Sequence, residues 1–298
     1  MSVKERIERL KKDKGATILA HNYCSEEVQD VADFVGDSLA LAIKAKEIEE
    51  PMIVFCGVTF MAESAKILNP GKKVVMPEPD AVCPMANMCT SSQLDEVREK
   101  DPDAVIIGYV NTSADAKSRM DICCTSANSV KVVMSAEEGN VLFVPDRNLG
   151  ANVSESCGRA MDLWEGFCPT HQAFTRQMVE DMKARYPEAT VMAHPECRPE
   201  VARMADMVGS TSQMLQFAKD SDAQEFIVLT EMGLGHRLRR DSPAKVFHFP
   251  HVAICPPMKM TDLRSVLRAL EEEGPEVVID ADVMDAARRP LERMVAIR

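Results

Sequence analysis

The sequence predicts an α/β fold of three related α/β/α sandwich units, with short parallel sheets arranged around one central cavity. Three observations predict it: a gapless internal repeat, an alternation of apolar strand-like runs with helical stretches, and a Cys-Pro step that recurs at nearly even spacing. The Cys-Pro steps begin at Cys83, Cys168 and Cys255, which are 85 and 87 residues apart. Such spacing is typical of a metal centre that takes one ligand from each third of the protein. Bacterial ferredoxins also place a cluster cysteine before proline.

Composition excludes several classes of function. The chain has 298 residues, of which 46% are hydrophobic, so it can bury a substantial core. Its formal charge of −12 argues against nonspecific nucleic-acid or anionic-membrane binding. No apolar run approaches the roughly 18 residues that span a bilayer, and residues 1–10 indicate a charged amphipathic helix rather than a signal segment. We therefore expect a cytoplasmic protein with no nucleic-acid or membrane partner, in which the ten cysteines are reduced.

Each unit opens with an apolar, β-branched run that predicts a buried strand. The three runs align without gaps at residues 16–23, 104–111 and 189–196. Each ends in a polar triplet, and the triplets are His21-Asn22-Tyr23, Tyr109-Val110-Asn111 and His194-Pro195-Glu196.

In each unit, a residue with a small hydroxyl side chain lies 17 positions after the first residue of the triplet. These residues are Ser38, Ser126 and Thr211, and we expect each of them to open a helical stretch. The segments between triplet and hydroxyl also suit helices, at residues 25–34, 113–120 and 198–207.

Two further strands complete each unit. The second is predicted at residues 52–56, 140–144 and 225–229. The third is shorter and leads to the cysteine, at residues 73–76 and 245–249, whereas its middle copy around 162–167 is not clearly a strand.

Alternating strands and helices imply parallel sheets with right-handed crossovers. We predict units at residues 1–86, 87–171 and 172–258, and a tail of two helices at 259–298 that packs on the first unit. Ligands of such sheets bind beyond the carboxyl ends of the strands, where the triplets, hydroxyls and cysteines all fall. Helix N-termini there favour anions, so the cavity suits a small substrate that carries carboxylates or phosphate.

The residues leave more than one metal open. Three cysteines could hold a mononuclear zinc with His171 or His194 as the fourth ligand, although zinc sites more often contain local Cys-x-x-Cys pairs. An iron–sulfur cluster accepts cysteines that are distant in sequence. Three cysteines on a four-iron cluster would leave one iron without a protein ligand, free to act as a Lewis acid toward a substrate oxygen.

The chain closely resembles the quinolinate synthase family over essentially its whole length. The motifs that carry the resemblance occur in the family's order and at its spacing: His21-Asn-Tyr23, Gly36-Asp-Ser-Leu39, Cys56-Gly-Val-Thr-Phe-Met-Ala-Glu63, Cys83-Pro-Met-Ala86, Tyr109-Val-Asn-Thr-Ser113, Cys124-Thr-Ser-Ala-Asn128, His194-Pro-Glu-Cys197 and Val208-Gly-Ser-Thr-Ser212.

The resemblance implies a 4Fe-4S-dependent transferase of NAD biosynthesis, which condenses iminoaspartate with dihydroxyacetone phosphate to quinolinate, phosphate and water. L-aspartate oxidase or aspartate dehydrogenase would supply the iminoaspartate. The implied cluster ligands are Cys83, Cys168 and Cys255, with one iron left unligated by protein. The implied catalytic residues are Tyr23, Glu196, His21 and Tyr109, with Tyr23 and Glu196 as proton-transfer groups. The implied substrate-binding residues are His21, Ser38, Tyr109, Val110, Asn111, Ser126, His171, His194, Pro195, Glu196 and Thr211.

The sequence departs from the family pattern at a few positions. Cys24 follows the first triplet where the family often has Gln, and the residues after Cys168 and Cys255 differ from the commoner forms. The carboxy-terminal Cys-x-x-Cys of some longer members is absent. A noncatalytic iron–sulfur electron carrier or sensor is the alternative from a different class, and it would need a fourth protein ligand for the cluster.

Overall fold

A computed structural model describes residues 2–136 and 139–297. Its sheets contain twelve described strands in three parallel sheets of four, with helices on both faces. The predicted α/β class and the threefold arrangement of units are confirmed. The strands are β1 (Ala16–His21), β2 (Phe34–Gly36), β3 (Met52–Cys56), β4 (Lys73–Val75), β5 (Val105–Tyr109), β6 (Ile122–Cys124), β7 (Val141–Val144), β8 (Asp162–Leu163), β9 (Thr190–Ala193), β10 (Met207–Val208), β11 (Glu225–Leu229) and β12 (Val246–His248).

The helices connect and cover these strands. They are α1 (Val3–Lys14), α2 (Glu26–Val31), α3 (Ser38–Glu47), α4 (Thr59–Leu68), α5 (Ser91–Lys100), α6 (Ala114–Lys117), α7 (Ser129–Ser135), α8 (Arg147–Cys157), α9 (Pro169–Gln172), α10 (Arg176–Arg185), α11 (Pro199–Ala202), α12 (Thr211–Asp220), α13 (Leu234–Asp241), α14 (Leu263–Glu272) and α15 (Ala281–Ala296), with short 3₁₀ helices at Pro84–Met88 and Pro257–Lys259.

The three sheets repeat one topology. Their strand orders are β2-β1-β3-β4, β6-β5-β7-β8 and β10-β9-β11-β12, so the first strand of each unit lies inside its sheet. In each case this strand pairs in parallel with the strand that follows the triplet's helix. The polar triplets therefore leave the three sheets at equivalent carboxyl ends, which is the edge where ligands bind in such folds.

One strand in each unit was missing from the prediction. β2, β6 and β10 lie between the triplet's helix and the hydroxyl residue and contain only two or three residues. Strands this short show no periodicity of their own, and the predicted helices extended into only two of them, at Phe34 and Met207. The uncertain middle copy of the third strand exists as the two-residue β8.

Capping residues at both ends, as well as the amphipathic sequence pattern, define the amino-terminal helix α1. The Ser2 hydroxyl oxygen accepts a hydrogen bond from the Glu5 N–H and the Glu5 carboxylate accepts one from the Ser2 N–H, which is a capping box. Gly15 closes the helix in the left-handed conformation, at φ 56°. Met1, which the predicted helix included, lies outside the described residues.

The carboxy-terminal tail forms two helices. α14 packs against α1 and β3, whereas α15 packs against β6, α6 and α4 and so reaches both the first and second units. We propose the division into units at residues 1–86, 87–171 and 172–258, because each contains one complete sheet. No helix in the described ranges combines the length and the apolar character needed to cross a membrane.

Candidate active site and metal centre

A central cavity lies where the three sets of strand ends meet. It offers about 60 Å³ to the centres of water molecules, which is room for a few waters or one small metabolite. Thirteen of the fifteen predicted site and ligand residues line it: His21, Tyr23, Ser38, Cys83, Tyr109, Asn111, Ser126, Cys168, His171, His194, Glu196, Thr211 and Cys255.

Two predicted site residues do not line this cavity. The Val110 side chain belongs to the hydrophobic core and is 2% exposed. Pro195 lines a separate cleft on the far side of Ser126, and its carbonyl oxygen accepts a hydrogen bond from Asn152. Both are the middle residues of their triplets, and the side chains on either side of each of them line the cavity.

The three cysteines occupy similar local structures. Cys83 and Cys168 each immediately precede a short helix whose first residue is proline, and Cys255 precedes Pro256 and the 3₁₀ helix Pro257–Lys259. Proline is tolerated at a first helical position because the N–H it lacks has no partner within the helix. The Cys-Pro step thus ends the preceding segment and leaves the thiol at a helix start.

The thiols are half-buried and close enough to influence one another. Burial raises the pKa of Cys83 to about 12 and raises the pKa values of Cys168 and Cys255. Cys255 adds to the shift at Cys83, and Cys83 adds to the shift at Cys168. Three thiolates in this space would repel one another, so a bound cation is needed to stabilise them together.

Two of the three hydroxyls lie at helix starts. Ser38 and Thr211 are the first residues of α3 and α12, and the preceding residues, Asp37 and Ser210, cap these helices. The capping role is filled by the neighbours, so the predicted hydroxyls face the cavity instead. Ser126 differs, because it lies in the turn three residues before α7.

The two triplet histidines have matching backbone contacts. The Tyr23 N–H donates to His21 Nδ1 over 3.2 Å, and the Glu196 backbone N lies 3.3 Å from His194 Nδ1. An acceptor role at His21 Nδ1 puts the ring proton of the neutral histidine on Nε2. Burial lowers the pKa of His21 to about 4 and also lowers the pKa of His194, so both rings are neutral at pH 7.

A continuous hydrogen-bonded chain crosses the cavity wall. Glu196 Oε2 lies 2.7 Å from His171 Nδ1, and His171 Nε2 lies 2.9 Å from Thr230 Oγ1. Thr230 Oγ1 in turn lies 2.6 Å from the phenol oxygen of Tyr23. Carboxylate, imidazole, hydroxyl and phenol are thus joined in one path along which a proton can move.

The pKa values at the two ends of this path, Glu196 and Tyr23, are shifted in opposite directions. Burial alone would raise the pKa of Glu196, but the interactions and hydrogen bonds that its carboxylate makes with the His171 and His194 rings outweigh burial and hold that pKa well below its usual range. Burial and the Glu196 charge raise the pKa of Tyr23 well above 10. The same two causes raise the pKa of Tyr109. The site therefore holds the ionised Glu196 carboxylate beside two phenols that keep their protons.

Among the described residues that line the cavity, two buried acceptors have no hydrogen-bond partner. They are Asn111 Oδ1 and Glu196 Oε1, and both residues line the cavity. Buried polar atoms are almost always paired, so these two oxygens indicate the position of a ligand with donors.

One group of side chains could also hold a single metal ion. The ligand atoms of Cys168, His171 and Glu196 all lie within 4.8 Å of one another. This set uses one of the three repeated cysteines and gives no role to Cys83 or Cys255.

Sequence reasoning missed several residues of the site. Thr230 directly follows β11, at the strand-end level of the triplets, and this position was the available signal. Asp37 precedes a predicted hydroxyl and lines the cavity. The remaining missed residues are mostly apolar, and no chemical pattern marks them: Val58, Phe60, Met61, Thr170 and Met258.

Comparison with known proteins places the whole chain in one family. Residues 5–296 match the family model described as quinolinate synthetase A protein. The chain is 46% identical to a quinolinate synthase of Aquifex aeolicus over 99% of this chain and 94% of that protein. It is 49% identical to a quinolinate synthase of Methanosarcina barkeri, over 99% of this chain and 97% of that protein. The chain belongs to the quinolinate synthetase A family.

Proposed function

We propose that the central cavity condenses iminoaspartate with dihydroxyacetone phosphate to give quinolinate, phosphate and water. Enzymes of this family are quinolinate synthases, which act in NAD biosynthesis. The observation that carries the proposal is the path from Glu196 through His171 and Thr230 to Tyr23, which ends in a cavity lined by the three repeated cysteines. An electron carrier has no use for such a path.

The path supplies acid–base chemistry. Ring closure to a pyridine requires protons to leave carbon and nitrogen and to reach departing oxygen atoms. Tyr23 keeps its proton at neutral pH and can give it to a departing oxygen, after which Thr230 and His171 can return one. The ionised Glu196 beside His171 stabilises the imidazolium that forms whenever the ring takes up a proton.

The remaining cavity residues would bind the substrates' anionic groups. Ser38 and Thr211 lie at the first positions of α3 and α12, where the helix N-termini favour a carboxylate or phosphate. His21 carries its ring proton on Nε2 and would donate it to such a group. Asn111 Oδ1 would accept a hydrogen bond from the substrate, in keeping with its missing partner.

The cysteines fit an iron–sulfur centre, which is a property of this family. We propose a [4Fe-4S] cluster on Cys83, Cys168 and Cys255, because their thiols line one cavity and require a cation to ionise together. When bound, the cluster's iron without a protein ligand would supply a Lewis acid for a substrate oxygen. A mononuclear metal on Cys168, His171 and Glu196 is the competing arrangement.

The expected setting follows from the same proposal. Iminoaspartate would come from L-aspartate oxidase or aspartate dehydrogenase, and the enzyme would work in the cytoplasm. Both substrates are small molecules.

Anaerobic reconstitution tests the proposal. The purified chain is loaded with iron and sulfide, its metal content is measured, and it is assayed with iminoaspartate and dihydroxyacetone phosphate. We expect about four irons per chain and formation of quinolinate. A loaded, brown protein that makes no quinolinate would defeat the enzymatic proposal, and one tightly bound zinc would defeat the cluster.

A further inference from the structure

An ion pair between buried Glu231 and partly exposed Lys259 lies beneath the Tyr23 loop and takes no part in the proton path. Glu231 follows Thr230 and is completely buried, at 0% exposure. The ammonium nitrogen of Lys259 lies 2.9 Å from its Oε1 and 3.0 Å from its Oε2. Neither residue lines the cavity. Removing the Glu231 carboxylate from water is costly, so the ion pair with Lys259 is weak evidence for a purely stabilising role.

Each member of the pair also contacts backbone that leads into the site. Glu231 Oε1 accepts a hydrogen bond from the Cys255 N–H over 3.3 Å, and its Oε2 accepts one from the Gly233 N–H over 2.7 Å. Lys259 Nζ donates to the Tyr23 carbonyl oxygen over 2.6 Å. One ion pair thus connects the backbone of a proposed cluster ligand with the backbone of a proposed proton donor.

Gly233 shows how closely this junction is packed. A Cβ atom built at Gly233 would lie 2.8 Å from Glu231 Oε2, from Lys259 Nζ and from the Tyr23 carbonyl oxygen. The φ of Gly233 is −60°, which any residue adopts, so its backbone conformation does not require glycine. Glycine is required here because the ion pair and the Tyr23 carbonyl fill the space.

The internal repeat shows that the ion pair is not a general part of the scaffold. The residue two positions after the second inner strand is Val58 in the first unit, Asp146 in the second and Glu231 in the third. Asp146 caps α8 through the N–H groups of Asn148 and Leu149. Only the third unit adds a lysine, and that lysine reaches across to the first unit at Tyr23.

Tyr23 is the site residue whose position must be held in this way. Its phenol contacts Thr230, which directly precedes Glu231, so the two ends of the contact belong to different units. Lys259 fixes the Tyr23 backbone relative to Glu231, and Glu231 fixes Cys255 through its N–H. A shift of either segment would change the distance between the phenol and the Cys255 thiol.

We propose that Glu231 and Lys259 are positioning residues that hold the Tyr23 loop and the Cys255 segment in register across the seam between the first and third units. The role in catalysis rests on the proposed function. The coupling of the two segments does not, because protein atoms alone make the contacts.

Hydrogen exchange of the metal-free protein tests the coupling without any activity. In Lys259→Met and in the double variant Glu231→Gln/Lys259→Met, we expect at least tenfold faster amide exchange in the peptides that contain Tyr23 and Cys255. The control is Arg203→Met, which removes an exposed ion pair with Glu155 between the second and third units. Faster exchange in only one of the two peptides, or equal acceleration in the control, would overturn the coupling.

Two glycine-to-alanine variants, which change the packing but not the charges, test the coupling if the charge variants fail to fold. Gly233→Ala pushes into the junction and leaves both charges in place. Gly235→Ala, two residues further along in α13, instead meets the side chains of Arg239 and Phe249. We expect Gly233→Ala to reproduce the faster exchange in both peptides and Gly235→Ala to leave both unchanged. Identical behaviour of the two alanine variants would count against the junction.

Turnover of the reconstituted enzyme then tests positioning. Per bound cluster, we expect Gly233→Ala and Lys259→Met to lower kcat at least tenfold and to change KM less than threefold, with a shifted electron paramagnetic resonance spectrum of the reduced cluster. Wild-type kcat per cluster together with faster exchange would overturn the role in catalysis. If the wild type itself makes no quinolinate, the proposed function fails while the exchange result still decides the coupling.

Discussion

Thr230 Oγ1 lies 2.6 Å from the phenol oxygen of Tyr23 and joins the third unit of the fold to the first. The same oxygen lies 2.9 Å from His171 Nε2, which belongs to the second unit. One hydroxyl therefore contacts side chains from both other units. The proton path exists only when all three units are closed around the cavity, so closure and acid–base competence are linked at this atom.

Thr230→Val should break the proton path while nearly preserving the shape of the side chain. Valine is close to threonine in volume but has no hydroxyl, and Tyr23 and His171 would each lose a buried partner. We expect kcat to fall about 100-fold, which is the usual contribution of a positioned proton-transfer group, with little change in KM. Thr230→Ser should recover most of the activity because it restores the oxygen. Equal loss in the serine and valine variants would mean that the methyl group matters instead.

Serine substitutions should separate cluster ligands from packing cysteines. Cys83→Ser, Cys168→Ser and Cys255→Ser should each lower the reconstituted iron content to less than half of the wild-type value. Cys157→Ser is the matched control, because Cys157 is half-buried like the ligands but lies at the end of α8, away from the cavity. Iron content and the visible absorption of the anaerobic protein measure the result. Equal loss in all four variants would contradict the ligand assignment.

Much of this site could be predicted because it repeats. His21, Tyr109 and His194 lie at the strand ends where the alignment of the three units places them. A strand end is a local property, since an apolar β-branched run stops where polar residues begin. The carboxyl-end rule for parallel sheets then places all three triplets around one cavity without any knowledge of contacts.

The contacts across the seams could not be predicted in this way. Thr230 has no hydroxyl counterpart and Lys259 no lysine counterpart in the other units, and Asp146, the counterpart of Glu231, caps α8 instead. The repeat therefore did not mark these three residues. Their importance depends on which side chains of the first unit face them after the units pack. The short strands β2, β6 and β10 were missed for a related reason, because partner strands rather than their own patterns stabilise them.

Asn111→Asp should impair substrate binding. Asn111 Oδ1 is buried without a partner in the described ranges, and the nearly isosteric aspartate would bring a negative charge into a cavity proposed for anions. We expect KM to rise at least tenfold, because like charges in a buried site repel strongly. Steady-state kinetics measure this, and Asn140→Asp, at an exposed residue before β7, is the control. An unchanged KM would place the anionic groups elsewhere.

His21 should make the metal-free protein sensitive to acid in a defined pH range. Burial lowers the pKa of His21 from 6.5 to about 4 in the folded chain. Between these values the unfolded chain binds the proton and the folded chain does not, so stability rises with pH across this range and is lost as pH falls from 6.5 toward 4. The full difference corresponds to about 3 kcal/mol. In His21→Gln the free energy of unfolding, measured with urea between pH 4 and 7, should change less with pH by about this amount. His251→Gln, at an exposed histidine, should keep the wild-type slope. If His21→Gln kept that slope as well, the ring would bind its proton at the same pH in the folded and unfolded chains, and the lowering of its pKa by burial would be wrong.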